Sequence, residues 1–152
     1  MDVNLFKQAM AKFATGITIV TIEDGEDIKG MTVNAFMSIS LTPNLIAVSI
    51  DENASLYHKI LEKKQFGISI ITNEQKDLSL IFSRQKEQTE PIDFQMLDGN
   101  PVINHSLAQL SCYVKQQTKA GDHMILIAEV TDLKINEGKP LIYFNSNYHD
   151  LS

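Results

Sequence analysis

The spacing of apolar residues along the chain predicts a mainly β protein that begins with one amphipathic helix. In segment 4–15 the apolar side chains recur three and four positions apart, which is the spacing of a helix with one buried face. Asp2 or Asn4 is placed to cap the N-terminus, and Gly16 stands where a left-handed C-terminal cap is wanted. We therefore expect a helix over 4–15.

After Gly16 the pattern changes to β-branched residues and short alternating segments, which are typical of strands. Turn residues separate these segments, first at Asp24-Gly25 and later in 98–101. Because strands and helices do not alternate regularly, the pattern favours a mostly antiparallel barrel over a doubly wound parallel sheet. The expected strands are 17–22, 28–36, 37–41, 45–50, 66–71, 110–118, 124–133 and 141–144.

Two short helices are expected between the strands. Ser55 is placed to cap a helix over 56–63, and Asn73 is placed to cap a second helix that carries Leu78, Ile81 and Phe82. Segment 84–95 is polar and charged with a proline inside, which predicts a surface segment. Since no repeat, low-complexity tract or linker divides the sequence, residues 1–152 are predicted to form one domain.

Length, charge and cysteine content narrow the class of protein. A chain of 152 residues can bury a core without cross-links, and its single cysteine, Cys112, cannot form an intrachain disulfide. The N-terminal residues lack the pattern of a secretory signal, so a cytoplasmic location is expected. The net charge is −6 and the basic residues are scattered apart from Lys63 and Lys64, which argues against nucleic acid as a partner. No apolar run approaches the roughly 20 residues that span a bilayer, so no membrane insertion is expected.

The common nucleotide, metal and nucleophile motifs are missing from the sequence. The seven glycines never stand in a GxGxxG spacing, and no GK[ST] follows a glycine-rich loop, which argues against Rossmann and P-loop sites. The four histidines are far apart and form no HExxH motif, so no metal site is predicted. No GxSxG motif nominates a serine nucleophile.

A small-polar segment at 30–36 is the first candidate binding site. Its backbone donors and the side chains of Thr32 and Asn34 could hydrogen-bond a planar heterocycle with alternating donors and acceptors. An ordinary strand with a glycine bulge is the simpler alternative.

Two further turns carry candidate ligand contacts. In 51–55, free amides and the Ser55 hydroxyl could hold a phosphate at a helix N-terminus, although Asp51 repels an anion and simple capping is the alternative. In 121–123, His123 could donate to a ligand carbonyl or phosphate, or could lie solvated beside the preceding aspartate.

Several motifs occur together in a fixed order. They are FKQAMAKFATGITIVT at 6–21, GMTVNAF at 30–36, SISLTP at 38–43, FGISI at 66–70, GDH at 121–123 and PLIY at 140–143, followed by Tyr148. In this order they resemble the flavin reductase family with the FMN-binding split barrel, whose members are small reductase components that feed reduced flavin to monooxygenases. The resemblance covers nearly the whole chain.

The resemblance implies an antiparallel split β-barrel with a few short flanking helices, assembled as a homodimer. It places the flavin ring along the segment from Thr32 to Ala35 and the phosphate near 53–55, with Arg84 as the cation. It also places His123, the candidate catalytic residue, near the nicotinamide nucleotide. The residues that it assigns to the cofactors are Met31, Thr32, Val33, Asn34, Ala35, Ser49, Asp51, Asn53, Ala54, Ser55, Ser83, Arg84, His123 and Tyr148.

The implied activity is hydride transfer from NADH or NADPH to FMN or FAD, with a monooxygenase as the partner that consumes reduced flavin. Two alternatives stay open: a flavin-binding split barrel with little or no reductase activity, and an oxidase or haem-handling relative of the pyridoxamine-phosphate-oxidase sort. Without a Rossmann acidic residue or arginine, the sequence does not choose between the two flavins or between the two nicotinamides. Segment 145–147 departs from the family pattern, because many relatives carry a glycine before the tyrosine that corresponds to Tyr148.

Overall fold

The computed structural model describes residues 1–151 as three α-helices, one 3-10 turn and eleven strands. The elements are α1 (Val3–Met10), β1 (Thr18–Asp24), β2 (Asp27–Val33), β3 (Phe36–Leu41), β4 (Asn44–Asp51), α2 (Tyr57–Lys63), β5 (Gln65–Ile70), the 3-10 turn (Asn73–Gln75), α3 (Lys76–Phe82), β6 (Phe94–Leu97), β7 (Asn100–Ile103), β8 (Ala108–Ala120), β9 (His123–Ile135), β10 (Ile142–Phe144) and β11 (Asn147–His149). Within the described part of the chain, no helix is long and apolar enough to cross a membrane.

One open antiparallel sheet of seven strands dominates the fold. Its order is β2-β1-β5-β8-β9-β4-β3, so β2 and β3, which follow each other in the sequence, form the two opposite edges. Because those edges do not pair, the sheet curves into a barrel that is not closed. The prediction of a mainly β, antiparallel split barrel with short flanking helices is confirmed.

The core lies on both faces of β1 and β5. The barrel interior is filled by Val20, Phe66, Ile68 and Leu126, among others, while Ile17 and Ile19 belong to a second cluster on the other side of β1. Successive side chains of a strand point to opposite faces, and every residue of the first predicted strand, 17–22, is buried, so this strand buries both of its faces.

The N-terminal helix is shorter than its apolar spacing predicts. Asp2 caps it as expected, with its carboxylate accepting the N–H of Asn4 at 2.9 Å, but the helix ends at Met10 and not at Thr15. The reason lies in the C-terminal hairpin: the Ala11 carbonyl accepts the N–H of Asn145 at 2.8 Å, and Thr15 pairs with Tyr143 in a β-bridge. That bridge requires extended backbone where the helix was expected to continue.

Both expected caps of the short helices are wrong by one residue. Leu56, not Ser55, precedes α2 and makes no side-chain capping bond; its burial in the core fixes the start of the helix. Thr72, not Asn73, caps the turn before α3, because its hydroxyl accepts the N–H of Glu74 at 3.2 Å. The Gln75 side chain accepts the N–H of Thr72 in return, which completes a capping box.

Three other segments differ from the sequence pattern. The single strand expected over 28–36 stops at Val33, and the chain resumes pairing at Phe36 on the opposite edge of the sheet. The hairpin of β6 and β7 lies around the predicted turn of 98–101, but its strands were not expected, because Pro101 and the polar residues before it hide their alternation. β8 and β9 run longer than predicted at both ends.

The β10–β11 hairpin turns through two residues with positive φ, Asn145 at 54° and Ser146 at 62°. Positive φ at both central positions is the type I′ turn, which favours Asn followed by Gly. A serine in this region costs roughly 1 kcal/mol relative to glycine. The glycine that many relatives carry in this region is thus replaced in this chain by residues that adopt a positive φ.

We expect Ser146→Gly to raise the melting temperature by about 2–4 °C, since it relieves that backbone cost. The Ser146 side chain makes no hydrogen bond among the described residues, so no such bond is lost. Differential scanning calorimetry measures the shift. The matched control is Ser38→Gly in β3, which should lower the melting temperature, because glycine inside a strand with ordinary φ only adds freedom to the unfolded chain. A fall in stability for Ser146→Gly would contradict the assignment of the turn.

Candidate functional site

A cavity of about 350 Å³ lies where the chain crosses between the two edges of the sheet. It is bordered by the end of β2, the start of β9, the end of β4 and the C-terminal hairpin. Its volume falls in the range of small-molecule and cofactor sites. The lining residues are Ile17, Met31, Thr32, Val33, Asn34, Ala35, Ser49, Asp51, Ser83, Gln85, His123, Tyr143 and Tyr148.

Most of the site residues expected from the sequence line this one cavity, although they come from five separate parts of the chain. They are Met31, Thr32, Val33, Asn34, Ala35, Ser49, Asp51, Ser83, His123 and Tyr148. Four others, Asn53, Ala54, Ser55 and Arg84, are not among the residues that line it. Their contact with a phosphate stays a prediction.

Three lining residues were not singled out beforehand. Ile17 and Tyr143 lie inside motifs that carry the family resemblance, but each is apolar or aromatic and is equally typical of a core. Gln85 follows the predicted Ser83-Arg84 corner by one residue, and its side chain donates to the Ser83 hydroxyl at 2.8 Å. Only the fold brings these residues to the cavity.

The break between β2 and β3 gives the cavity its main-chain donors. Residues Asn34 and Ala35 lie outside both ladders, and no acceptor among the described residues takes their N–H groups. Their carbonyls are used: Asn34 accepts the N–H of Phe36 at 2.9 Å, and Ala35 accepts the N–H of Ser49 at 3.1 Å. The two free N–H groups fit a ligand that carries hydrogen-bond acceptors along one edge, as the pyrimidine edge of a flavin does.

His123 begins β9 opposite Asp51 of β4, so the strand pairing sets both side chains at the same end of the sheet. Its Nδ1 lies 2.8 Å from a carboxylate oxygen of Asp122, and its side chain is 38 % exposed. The hydrogen bond and the charge of the imidazole lower the pKa of the Asp122 carboxyl. His123 is therefore both paired with Asp122 and part of the cavity wall, which combines the two alternatives raised by its sequence.

The loop after β4 is already bonded within itself. The Asp51 carboxylate accepts the N–H of Asn53 at 2.9 Å, and the Asp51 carbonyl accepts the N–H of Ala54 at 3.0 Å. The expectation that these two amides are free for a phosphate is therefore wrong. Arg84 is exposed, with a positive φ of 63°.

The described residues contain no metal-ligand cluster, and their one cysteine is buried. Between residues 1 and 151, no group of three or more histidine, cysteine, aspartate or glutamate side chains could hold a metal ion. Burial raises the pKa of the Cys112 thiol to about 12, so at neutral pH the sulfur is protonated and a poor nucleophile.

A larger polar cleft, of about 930 Å³, lies beside residues 72–75, 104–105 and 136–139. It contains none of the residues that the sequence assigned to cofactors. The seam cavity is therefore the candidate site because the residues assigned from the sequence converge on it, and not because of its volume.

An open antiparallel barrel with a polar cavity at its unclosed seam is a split-barrel protein. Residues 10–152 match the family described as "Flavin reductase like domain", and the chain belongs to this family.

Curated relatives and solved structures agree with this assignment over nearly the full length of the chain. An NADH-dependent flavin reductase of Rhodococcus sp is 36% identical over 95% of this chain and 84% of its own length. The reductase component of 4-hydroxyphenylacetate 3-monooxygenase from Thermus thermophilus is 33% identical, with 96% of this chain and 95% of the relative covered. The structure of flavin reductase PheA2 in its native state is 47% identical and superposes with a TM-score of 0.96 over 100% of this chain and 99% of that chain. The styrene monooxygenase flavin reductase from Pseudomonas putida is 36% identical, with a TM-score of 0.90 and 97% of each chain covered.

Proposed function

We propose that the protein is an NADH-dependent flavin reductase, which reduces FMN or FAD in the cavity at the barrel seam. The observation that carries this proposal is the convergence of Met31 to Ala35, Ser49, His123 and Tyr148 on that cavity. The relatives support NADH as the hydride donor, since the name of the Rhodococcus protein specifies it. FMN and FAD both remain as acceptors.

When both nucleotides are bound, the chemistry is hydride transfer from the nicotinamide ring to the flavin ring, which the two cofactors supply themselves. The chain's task is to hold the rings in contact and to exclude other orientations. The N–H groups of Asn34 and Ala35 are fixed donors for the flavin edge, because their own carbonyls are held by Phe36 and Ser49. Such donors favour negative charge on the ring that accepts the hydride.

His123 is proposed to orient the nicotinamide nucleotide. Its Nδ1 is occupied by Asp122, which leaves Nε2 without a hydrogen-bond partner among the described residues. An imidazole held through one nitrogen presents the other at a fixed place on the cavity wall. No proton transfer by His123 is needed for the hydride step, so its role is to bind and position.

A steady-state assay that crosses FMN and FAD with NADH and NADPH tests the proposal. We expect nicotinamide oxidation above the free-flavin background, faster with NADH than with NADPH. Flavin that stays bound through purification but is not reduced would instead favour a flavin-binding module. A haem or pyridoxal absorbance band in the purified protein would favour the oxidase or haem-handling alternative. An absence of both reduction and flavin binding would overturn the proposed function.

We further propose that a separate monooxygenase consumes the reduced flavin, and that the reaction takes place in the cytoplasm. The Thermus relative is named as a reductase component of a monooxygenase, and the Pseudomonas putida structure is titled as a flavin reductase of one. The seam cavity is open to solvent along its exposed residues Asn34, Ala35 and Asp51, which suits a flavin that enters and leaves.

A homodimer is the proposed assembly, and α1 is its main support. This eight-residue helix buries none of its side chains in the chain, and Leu5, Phe6 and Met10 are each more than half exposed. A helix of this length is marginal in water without a packing partner. A second copy that covers the apolar face would supply that partner.

Light scattering coupled to size-exclusion chromatography should give twice the mass of the chain. Phe6→Gln should shift the protein towards the monomer, because it removes apolar surface from the proposed contact. Lys7→Gln, a substitution on the same helix at an exposed polar position, should leave the dimer intact. A monomeric wild-type protein at micromolar concentration would rule the dimer out.

A further inference from the structure

We propose that Ser79 is a positioning residue for flavin reduction, which acts by holding Tyr148 in the cavity wall. This inference rests on the proposed function of the seam cavity. Ser79 lies in α3, is fully buried and is not among the residues that line the cavity. Its hydroxyl oxygen lies 2.7 Å from the hydroxyl oxygen of Tyr148, which does line the cavity.

The backbone carbonyl of Ser79 holds two more parts of the same wall. It accepts the hydroxyl of Thr32 at 2.8 Å and the hydroxyl of Ser83 at 2.8 Å. Thr32 and Ser83 both line the cavity, from β2 and from the end of α3. A single buried residue therefore joins three cavity-lining side chains from three separate segments.

The Tyr148 ring has two further neighbours, Lys76 and Tyr143. The Lys76 ammonium lies 5.3 Å from the ring centroid, and the Tyr143 ring meets it edge-on with centroids 5.4 Å apart. Lys76 and Ser79 are three residues apart in α3, so both face the same side of the helix. These contacts fix the plane of the ring, but only the Ser79 bond fixes the position of its hydroxyl.

The role of the Ser79 hydroxyl can be tested by mutation separately from the role of its backbone carbonyl. Ser79→Ala removes the bond to Tyr148 and keeps the carbonyl that accepts Thr32 and Ser83. If Ser79 acts through Tyr148, then Ser79→Ala must alter the same kinetic parameter as Tyr148→Phe, and the double variant must be no worse than the worse single variant.

The experiment compares wild type, Ser79→Ala, Tyr148→Phe and the double variant. The readouts are kcat and KM for NADH, the flavin dissociation constant from flavin fluorescence, and the melting temperature. We expect each single variant to lower kcat/KM for NADH by about three- to tenfold, which is the value of one neutral hydrogen bond. The matched control is Ser106→Ala, because Ser106 is equally buried and its hydroxyl has no hydrogen-bond partner in the described structure. It should leave all the kinetic readouts unchanged.

Three results would overturn the positioning role. The first is a lower melting temperature of Ser79→Ala with unchanged kinetics and flavin binding. The second is a double variant in which the effects of the two single substitutions multiply. The third is a Tyr148→Phe variant that equals wild type in every readout. If Ser79→Ala does not fold, Ser79→Cys takes its place, since a thiol keeps the size of the side chain and a weak donor.

A readout without ligand separates this inference from the proposed function. If wild type neither binds nor reduces flavin, the proposed function fails, and the role of Ser79 is then tested by NMR of isotope-labelled tyrosine rings. Tyr148→Phe assigns the Tyr148 signal. Faster ring flipping of Tyr148 in Ser79→Ala, with Tyr57 and Tyr113 unchanged, supports the contact; unchanged flipping overturns it.

Discussion

Replacing Gly67 by alanine is expected to lower the free energy of unfolding by about 3 kcal/mol, the upper end of the usual cost of overpacking. Gly67 lies in the middle of β5, and a β-carbon there would come within 1.8 Å of the Pro101 carbonyl oxygen. That oxygen cannot withdraw freely, because it accepts the buried Thr21 hydroxyl at 2.6 Å. Urea unfolding followed by circular dichroism measures the change.

The matched control for this substitution is Gly16→Ala. A β-carbon at Gly16 meets no atom within 4 Å, and its backbone φ is not positive. Its free energy of unfolding should stay within about 0.5 kcal/mol of wild type, as for other surface changes. Similar stability of the two variants would mean that β7 does not cross β5 as closely as described.

Replacing His123 by alanine is expected to lower kcat/KM for NADH by about tenfold or more, while the flavin dissociation constant changes by less than about twofold. The imidazole is proposed to bind the nicotinamide nucleotide, whereas the donors for the flavin edge are backbone groups that the substitution leaves in place. Stopped-flow kinetics and flavin fluorescence measure the two effects separately.

His58→Ala is the control for this loss of imidazole. His58 is exposed on α2 and does not line the seam cavity, so its removal should leave both constants unchanged. Equal weakening of NADH and flavin by His123→Ala would place the imidazole on the flavin instead. No effect on either would mean that His123 serves only its bond to Asp122.

The sequence predicts most of the sheet because short-range patterns determine it. The alternating and β-branched segments locate the seven strands of the large sheet, and the Asp24-Gly25 turn sets the first hairpin. The features of the fold that the sequence does not predict depend on long-range contacts. The end of α1 depends on the bridge between Thr15 and Tyr143, which are far apart in the chain. No local sequence pattern predicts this bridge.

The candidate site likewise contains some residues that the sequence predicts and others that it does not. The segment Met31 to Ala35 and His123 were raised as candidates by their own residue patterns, and the family resemblance added Tyr148. The amides of Asn53 and Ala54 were misjudged, because the sequence shows a helix N-terminus but not that Asp51 folds back onto them. Ser79 was assigned no role from the sequence, since a serine in a short helix is compatible with either a buried or a solvated hydroxyl.

The unpaired edges of the sheet have a consequence for exchange of ligand. β2 and β3 share no ladder hydrogen bonds, and only Asn34 and Ala35 join them across the seam. The backbone groups that line the seam are therefore not used up in strand pairing, although Val33 and Phe36 on its two sides pack in one buried cluster. A closed barrel has no such gap between strands, whereas an open seam suits the proposed use of flavin as a carrier that leaves the protein and is not bound permanently.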